Sequence, residues 1–400
     1  MSTSEQAVLD AIAQAPMLEQ TLAWSAINSG SANLAGLATM ADELASAFSV
    51  LPGALSLEES DPVEQIDAAG VSSFSQGGRN LHLRVRPEAP VQILLTGHMD
   101  TVYAANHPFQ QTSWIEPGKR LGGPGIADMK GGLAVMLAAL KAIEQDSASA
   151  RLGYEVVINS DEEVGSGGSA ALIRRAASGK HAALTYEPAL PDGTLAGARP
   201  GTGNFSLVVL GRAAHAGRNS EDGRNAIVAA ADLAVRLAAL KRPGLSVNPA
   251  RIDGGGPNNI VPDRAVLRVN LRPTGIADQS DAQAAIARLA DEVAKAHDVM
   301  IHTHGGFGRP PKPLDARAER LFGLVRQCGE RLGIAIAWQA TGGVCDGNNI
   351  AACGVPVVDT MGVRGGSIHS ADEYLIVESL VERAQLSALV LLRLAAGELP

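Results

Sequence analysis

Aromatic side chains are scarce, 3% of the 400 residues. An interior built without them rests on Ala, Leu and Val, which suits helices packed on a sheet and argues against an aromatic-rich β-sandwich. Basic residues are missing from the start of the chain, the first being Arg79, and no basic run occurs anywhere. With a net charge of −9, the chain is not expected to bind nucleic acid or an anionic membrane. The same lack means that no secretory or transit signal is expected, since both need early Lys or Arg. Cysteine is limited to Cys328, Cys345 and Cys353, with no CxxC pair. An odd, unpaired set is expected to be reduced thiols in a cytoplasmic protein. The longest apolar stretch, Gly131 to Leu140, stops at Lys141, well short of the ~20 residues that span a bilayer.

What the chain does have is apolar residue, 46% of it, enough for sizeable cores in two or three domains. Residues 7–26 and 36–49 read as amphipathic helices. Residues 81–86 alternate as a strand, and 91–96 form a mostly apolar run that reads as a buried strand feeding a loop at Gly97. Helices over 131–145 and 168–178 alternate with strands over 154–160 and 182–185, so an α/β domain with a mainly parallel central sheet is expected. The register changes near Gly201: strands at 204–210, 247–252, 263–271 and 298–304, with helices at 222–240 and 280–296, make a smaller α+β unit. Gly305 to Pro313, with three glycines and three prolines, reads as a linker. The α/β pattern then resumes with helices over 315–332, 347–353 and 376–396 and strands over 334–339 and 355–359. The expected organisation is one domain over 1–200 and 311–400, interrupted by an inserted domain over 201–310.

Five short segments carry chemistry. Gly97-His98-Met99-Asp100 follows the buried strand, where α/β sheets place ligands; His98 can ligate a metal while Asp100 orients its ring. Gly122-Gly123-Pro124-Gly125-Ile126-Ala127-Asp128-Met129-Lys130-Gly131 is glycine-rich. It is not a P-loop, because Gly131 stands where Ser or Thr must follow the lysine, so it reads as a tight loop presenting Asp128. Asp161-Glu162-Glu163 follows another strand, and three neighbouring acids there repel unless a cation compensates. Tyr186-Glu187-Pro188 and Ile368-His369-Ser370-Ala371-Asp372-Glu373 complete the set. Singly, each has a bland reading as an ordinary loop, a helix cap or a solvated acidic turn. Together they give the two imidazoles and three carboxylates that two zinc ions sharing one bridging carboxylate require, with room for water and substrate.

Assembled in this order, the segments resemble the zinc-dependent aminoacylase and carboxypeptidase family over about residues 90–380. That family includes glutamate carboxypeptidases, acetylornithine deacetylases and succinyl-diaminopimelate desuccinylases. Gly97–Val102, Tyr103 and His107-Pro108-Phe109 are most similar to the glutamate carboxypeptidase branch. The resemblance implies two zinc ions per subunit, with cobalt as the expected substitute: His98 and Glu187 on one, Glu163 and His369 on the other, Asp128 between them. It also implies that Asp100 orients His98, that Glu162 is the general base, and that the Asp128–Met129 peptide is cis. Glutamate at position 187 leans toward deacylases and carboxypeptidases rather than aminopeptidases.

In the segment 201–310, Gly211-Arg212-Ala213-Ala214-His215-Ala216-Gly217 is similar to the family's dimerisation motif. The implied assembly is a homodimer in which His215 reaches the partner's active site and helps hold the substrate carbonyl oxygen. Asn259 and Arg272 match substrate-lining positions, and Arg309 matches an arginine that grips the substrate carboxylate in bidentate fashion. Gly342 and Gly343 approach the substrate, but Val344 and Cys345 depart from the usual Gly-Gly-Gly-Thr-Asp and bear on selectivity. His302 and His304, on one strand face, have no role in the family. The implied activity is hydrolysis of an amide bond next to a free carboxylate in an N-acyl amino acid or short peptide. The alternatives are an N-acyl-amino-acid deacylase or a catalytically silent ligand-binding relative.

Overall fold

The computed structural model of the protein describes residues 2–400. Its central sheet has six strands in the order Ala54–Glu58, Asn80–Val85, Leu152–Asn159, Val91–His98, Ala182–Thr185 and Val357–Val358. The first two pairings are antiparallel and the last three parallel. Helices cover both faces of the parallel part, so its strands are apolar along their whole length rather than alternating. Val91–His98 is buried at every position except Gln92. The helix Gly131–Ile143 is buried on all sides except at Lys141, because the helices Thr3–Ala13, Met17–Ser25 and Glu378–Ala395 enclose it. One register sends Val91–His98, Leu152–Asn159 and Ala182–Thr185 in the same direction. Their carboxyl ends therefore deliver His98, Glu162–Glu163 and Glu187 to one edge of the sheet.

A second sheet, wholly antiparallel, runs Leu245–Gly254, Arg264–Pro273, Thr202–Leu210, Met300–Arg309. The helices Ala226–Ala238 and Ile276–His297 pack against it around a hydrophobic core separate from the first. Gly305 to Arg309, expected as linker, instead complete the last strand. Gly305 has φ +86°, and a Cβ there would sit 2.2 Å from the carbonyl oxygen of Asn204. Glycine thus lets the strand bend and continue, and Arg309 ends a strand rather than floating in a loop.

Other departures have local causes. The expected helix over 7–26 is broken by Pro16 into Thr3–Ala13 and Met17–Ser25. The expected strand over 334–339 shrinks to Trp338–Gln339, paired with Leu195–Ala196. A hairpin, Val63–Ile66 with Ser72–Ser75, was not expected. It leaves the central sheet and lies on the second one, where Arg268 Nη2 donates to the carbonyls of Ile66 (2.8 Å) and Asp67 (3.0 Å). Among the described residues no helix is long and apolar enough to cross a membrane.

Candidate metal centre

Two groups of ligand atoms converge at the sheet edge: His98, Asp128 and Glu187, and Asp128, Glu163 and His369. Asp128 belongs to both and divides its oxygens between them. Its Oδ1 lies 3.1 Å from His98 Nε2, and its Oδ2 lies 3.3 Å from His369 Nε2. Glu187 Oε2 stands 3.7 Å from His98 Nε2, and Glu163 Oε2 stands 3.1 Å from His369 Nε2. The Asp128–Met129 peptide is cis. The five side chains named in the sequence therefore lie together as two candidate groups that share Asp128.

The donor set fits a pair of divalent cations. Among the described residues, no lysine or arginine pairs with any of the five. Three mostly buried carboxylates thus face only two imidazoles. Burial, with the charge of Asp128 nearby, pushes Glu187 up to about 7. Burial likewise raises Glu163, and the charge of Asp128 adds to it. His369 is pushed up to about 10 by its hydrogen bonds to Asp128 and Glu163. Two carboxyls pushed up by burial, beside an imidazole pushed up and an Asp128 held low by its pairing with both rings, mark a site short of positive charge. Nitrogen and oxygen donors without sulfur suit a borderline metal such as zinc.

Asp100 touches both His98 and the turn after the neighbouring strand. The ring Nδ1 lies 2.9 Å from the backbone carbonyl of Asp100 and 3.4 Å from its Oδ1, so Nε2 is the ring nitrogen turned toward Asp128 and Glu187. The same carboxylate accepts the backbone N–H groups of Glu162 and Glu163, each at 3.1 Å, and the Ser31 hydroxyl at 2.7 Å. One buried acid thereby fixes the ligand on one loop and the turn bearing Glu162 on another.

Glu162 is buried beside the ligands and belongs to neither group. Its Oε1 is 2.7 Å from Arg309 Nη2. Arg309, expected to be free for the substrate, is itself buried. Its Nη2 also donates to the Glu162 carbonyl at 2.8 Å and the Ser166 hydroxyl at 2.9 Å, while its Nε has no partner. Arg272 is different. It donates only to neutral acceptors, Asn270 Oδ1 at 3.2 Å and the Gly342 carbonyl at 2.9 Å.

A cavity of about 620 Å³ opens over these groups. Its wall includes Glu162, the three arginines Arg199, Arg272 and Arg309, the backbone at Gly343, and the apolar Leu190, Leu195, Val344 and Ile368. Arg199 is neutralised by Asp359 at 2.7 Å, which also takes Lys312 at 3.1 Å. Cys345 closes the wall as a helix cap, its sulfur accepting the Gly347 N–H at 3.3 Å. Burial holds that thiol well above its usual range, so it is a packed cap rather than a nucleophile. His215 and Asn259 are exposed on a loop and do not line this cavity. His302 and His304 form no metal-binding group among the described residues; His304 pairs with Glu64 at 3.2 Å.

Sequence reading gave no role to Tyr103, Arg199 or Glu373, all three beside the site. Tyr103 and Glu373 stood inside quoted motifs, but they meet each other across 270 positions and otherwise bond to backbone groups, which leaves no spacing signal.

Comparison with known proteins identifies the family. Residues 94–393 match the profile of peptidase family M20/M25/M40. The chain belongs to that family. It is 31% identical over 338 residues to carboxypeptidase G2 of Pseudomonas sp. (strain RS-16), covering 80% of this chain and 78% of that one. It is 29% identical over 349 residues to succinyl-diaminopimelate desuccinylase of Rhodospirillum centenum, covering 80% and 86%. The fold is similar to that of an M20 family metallo-carboxypeptidase from Sulfolobus solfataricus, with a TM-score of 0.73 at 15% identity, over 95% of this chain and 99% of that one. The M20 member described here is accordingly a metal-dependent hydrolase of C–N bonds.

Proposed function

We propose that this M20 enzyme uses two zinc ions to cleave an amide bond next to a free carboxylate, in the manner of a glutamate carboxypeptidase. The observation that carries the reading is Glu162: a buried carboxylate beside both candidate ligand groups, used by neither, facing a cavity with a guanidinium that no acid among the described residues neutralises. When bound, the zinc ions supply Lewis-acid polarisation of the amide carbonyl and acidify a water. Glu162 accepts the proton of that water and returns it to the departing amine. Arg272, whose charge meets only neutral oxygens, takes the substrate carboxylate, and Arg309 is a second candidate once it leaves Glu162. Asp100 keeps Glu162 at its post through the turn's N–H groups. His215 of the partner subunit completes the site by donating to the carbonyl oxygen. The assembly this requires is a homodimer built through residues 201–310. The charge balance and the unpaired thiols support a cytoplasmic enzyme acting on N-acyl amino acids or short peptides.

The test is Glu162→Gln. It is expected to retain two metal ions per chain by elemental analysis and to lose turnover by roughly 10²–10⁴-fold, the scale of general acid–base catalysis. Near-full turnover in a metal-loaded variant would remove Glu162 as the base. An N-acyl-amino-acid deacylase is the second reading, supported by the desuccinylase relatives and by the apolar wall of Leu190, Leu195 and Ile368, which suits an acyl chain. Side-by-side kcat/KM values on N-succinyl or N-acetyl amino acids and on acylated glutamates decide between the two.

A further inference from the structure

We infer that Glu373 is a positioning residue, whose carboxylate sets the bridging ligand Asp128 against the ligand His369. The inference rests on the two-metal reading above. Glu373 is buried, and among the described residues it pairs with no lysine or arginine. Its Oε1 accepts the N–H groups of Ala127 (2.9 Å) and of Asp128 itself (3.1 Å). Its Oε2 accepts the Gly125 N–H (3.1 Å) and the Tyr103 hydroxyl (2.7 Å). A single carboxylate thus gathers three N–H groups of the loop that presents Asp128.

Glu373 lies four residues after His369 on the other ligand-bearing loop. That loop needs anchoring. His369 has φ +63° and Ser367 φ +53°, an uncommon conformation for side chains larger than glycine's, and the imidazole is 53% exposed while the other four ligands are at most 10% exposed. The Tyr103 hydroxyl reaches the Ser370 carbonyl at 2.7 Å as well as Glu373, and the Gly123 N–H reaches the Glu373 carbonyl at 3.2 Å. Tyr103 itself follows the loop that carries His98 and Asp100. Three loops from distant parts of the chain are therefore registered through one carboxylate and one phenol. The group formed by Asp128, Glu163 and His369 depends on that registration most, because His369 has no buried packing of its own to hold it.

Glutamine at 373 keeps one acceptor oxygen for Ala127 and Asp128 but turns an amide NH₂ toward the Gly125 N–H, donor against donor. Tyr103→Phe removes only the hydroxyl. Metal-free wild type, Glu373→Gln, Tyr103→Phe and His369→Ala, each checked by circular dichroism, would be titrated with cobalt chloride and followed by visible absorbance and calorimetry. Wild type is expected to bind two ions, and His369→Ala identifies the step that belongs to its group. Glu373→Gln is expected to weaken that step by roughly 10–100-fold, the range for groups that orient metal ligands, with a smaller loss for Tyr103→Phe in the same step. Unchanged affinities in folded Glu373→Gln, or an equal loss in both steps, would overturn the inference. If Glu373→Gln does not fold, unchanged binding in Tyr103→Phe overturns it. Wild type that binds fewer than two ions would instead sink the two-metal reading.

Discussion

At the scale of single residues, the site is defined by charges left without partners. Arg272 is the clearest case on the cationic side, since Arg199 is tied to Asp359 and Arg309 to Glu162. Arg272→Ala is expected to raise KM for substrates with a free carboxylate by roughly 10–100-fold, the worth of a charge-assisted hydrogen bond. The contact is made equally in ground and transition states, so kcat should change little. A fall in kcat at unchanged KM would place Arg272 elsewhere in the mechanism. On the anionic side, the ligand carboxylates give the metal-free protein a distinctive pH dependence. Glu187 is raised from 4.5 to about 7, and Glu163 is raised too. A carboxyl with a raised pKa in the folded state binds more protons there than when unfolded, so stability falls as pH rises between those two values. His369, raised to about 10, works in the same sense: its contribution is complete below its unfolded value and declines as pH climbs. Divalent ions reverse the loss by binding the deprotonated ligands. The rise in melting temperature on adding zinc should therefore grow from pH 5 to pH 7, measured by scanning fluorimetry; a shift that shrinks over that range would contradict the charge deficit.

At the scale of elements, the hairpin Val63–Ser75 is the part with the most specific fit. Its turn brings Gly70, at φ +73°, so close to the second sheet that a Cβ would meet Val208 Cγ1 at 2.7 Å. At its base, Val63 packs over Gly167, where a Cβ would sit 3.0 Å away, just beyond the turn that bears Glu162 and Glu163. Gly70→Val forces both a steric overlap and an unfavourable backbone region, so a loss of about 1–3 kcal/mol is expected, read as a lower urea midpoint. An unchanged midpoint would mean the hairpin contributes no packing. This element was not legible in the sequence, because its strands are only four residues each, one half-buried only at its ends and the other exposed, and they show no alternation. Its fit depends on Val208 and Val266, more than 130 positions away. The central strands were legible for the opposite reason. Val91–His98 is buried on both faces, so its apolar run stood out and put His98 where sheets place ligands, while its role came from the full set of segments and the resemblance. His98, Glu163 and Glu187 could be placed because they end or follow such strands, whereas Asp128 and His369 lie in loops outside the central sheet and were placed by the resemblance. Glu373 could not, because it acts on backbone N–H groups, and Arg309 was read with a free charge because nothing in Gly308-Arg309-Pro310 points to Glu162.

At the scale of the whole molecule, one chain holds both metal groups, Glu162 and the arginines, yet His215 lies outside the cavity they form. The His215 loop belongs to the segment with the second sheet and pairs with the Asn259–Val261 stretch of that segment, the His215 Nδ1 accepting the Gly217 N–H at 3.1 Å. If that loop serves the site of a second copy, two differently broken chains must repair each other. His215→Ala keeps its own Glu162 but lacks the imidazole it would lend; Glu162→Gln is the converse. In a symmetric dimer each site draws on both chains. A mixed dimer then holds one site with both groups intact and one with neither. Mixing equal amounts of the two inactive variants and allowing exchange makes about half the dimers mixed, so activity should return to about a quarter of wild type. The recovered rate should also rise as exchange proceeds and scale with the fraction of mixed dimer separated by a charge tag. Were His215 to serve only its own chain, the mixed dimer would pair two sites each missing one group, and no activity would return at any ratio.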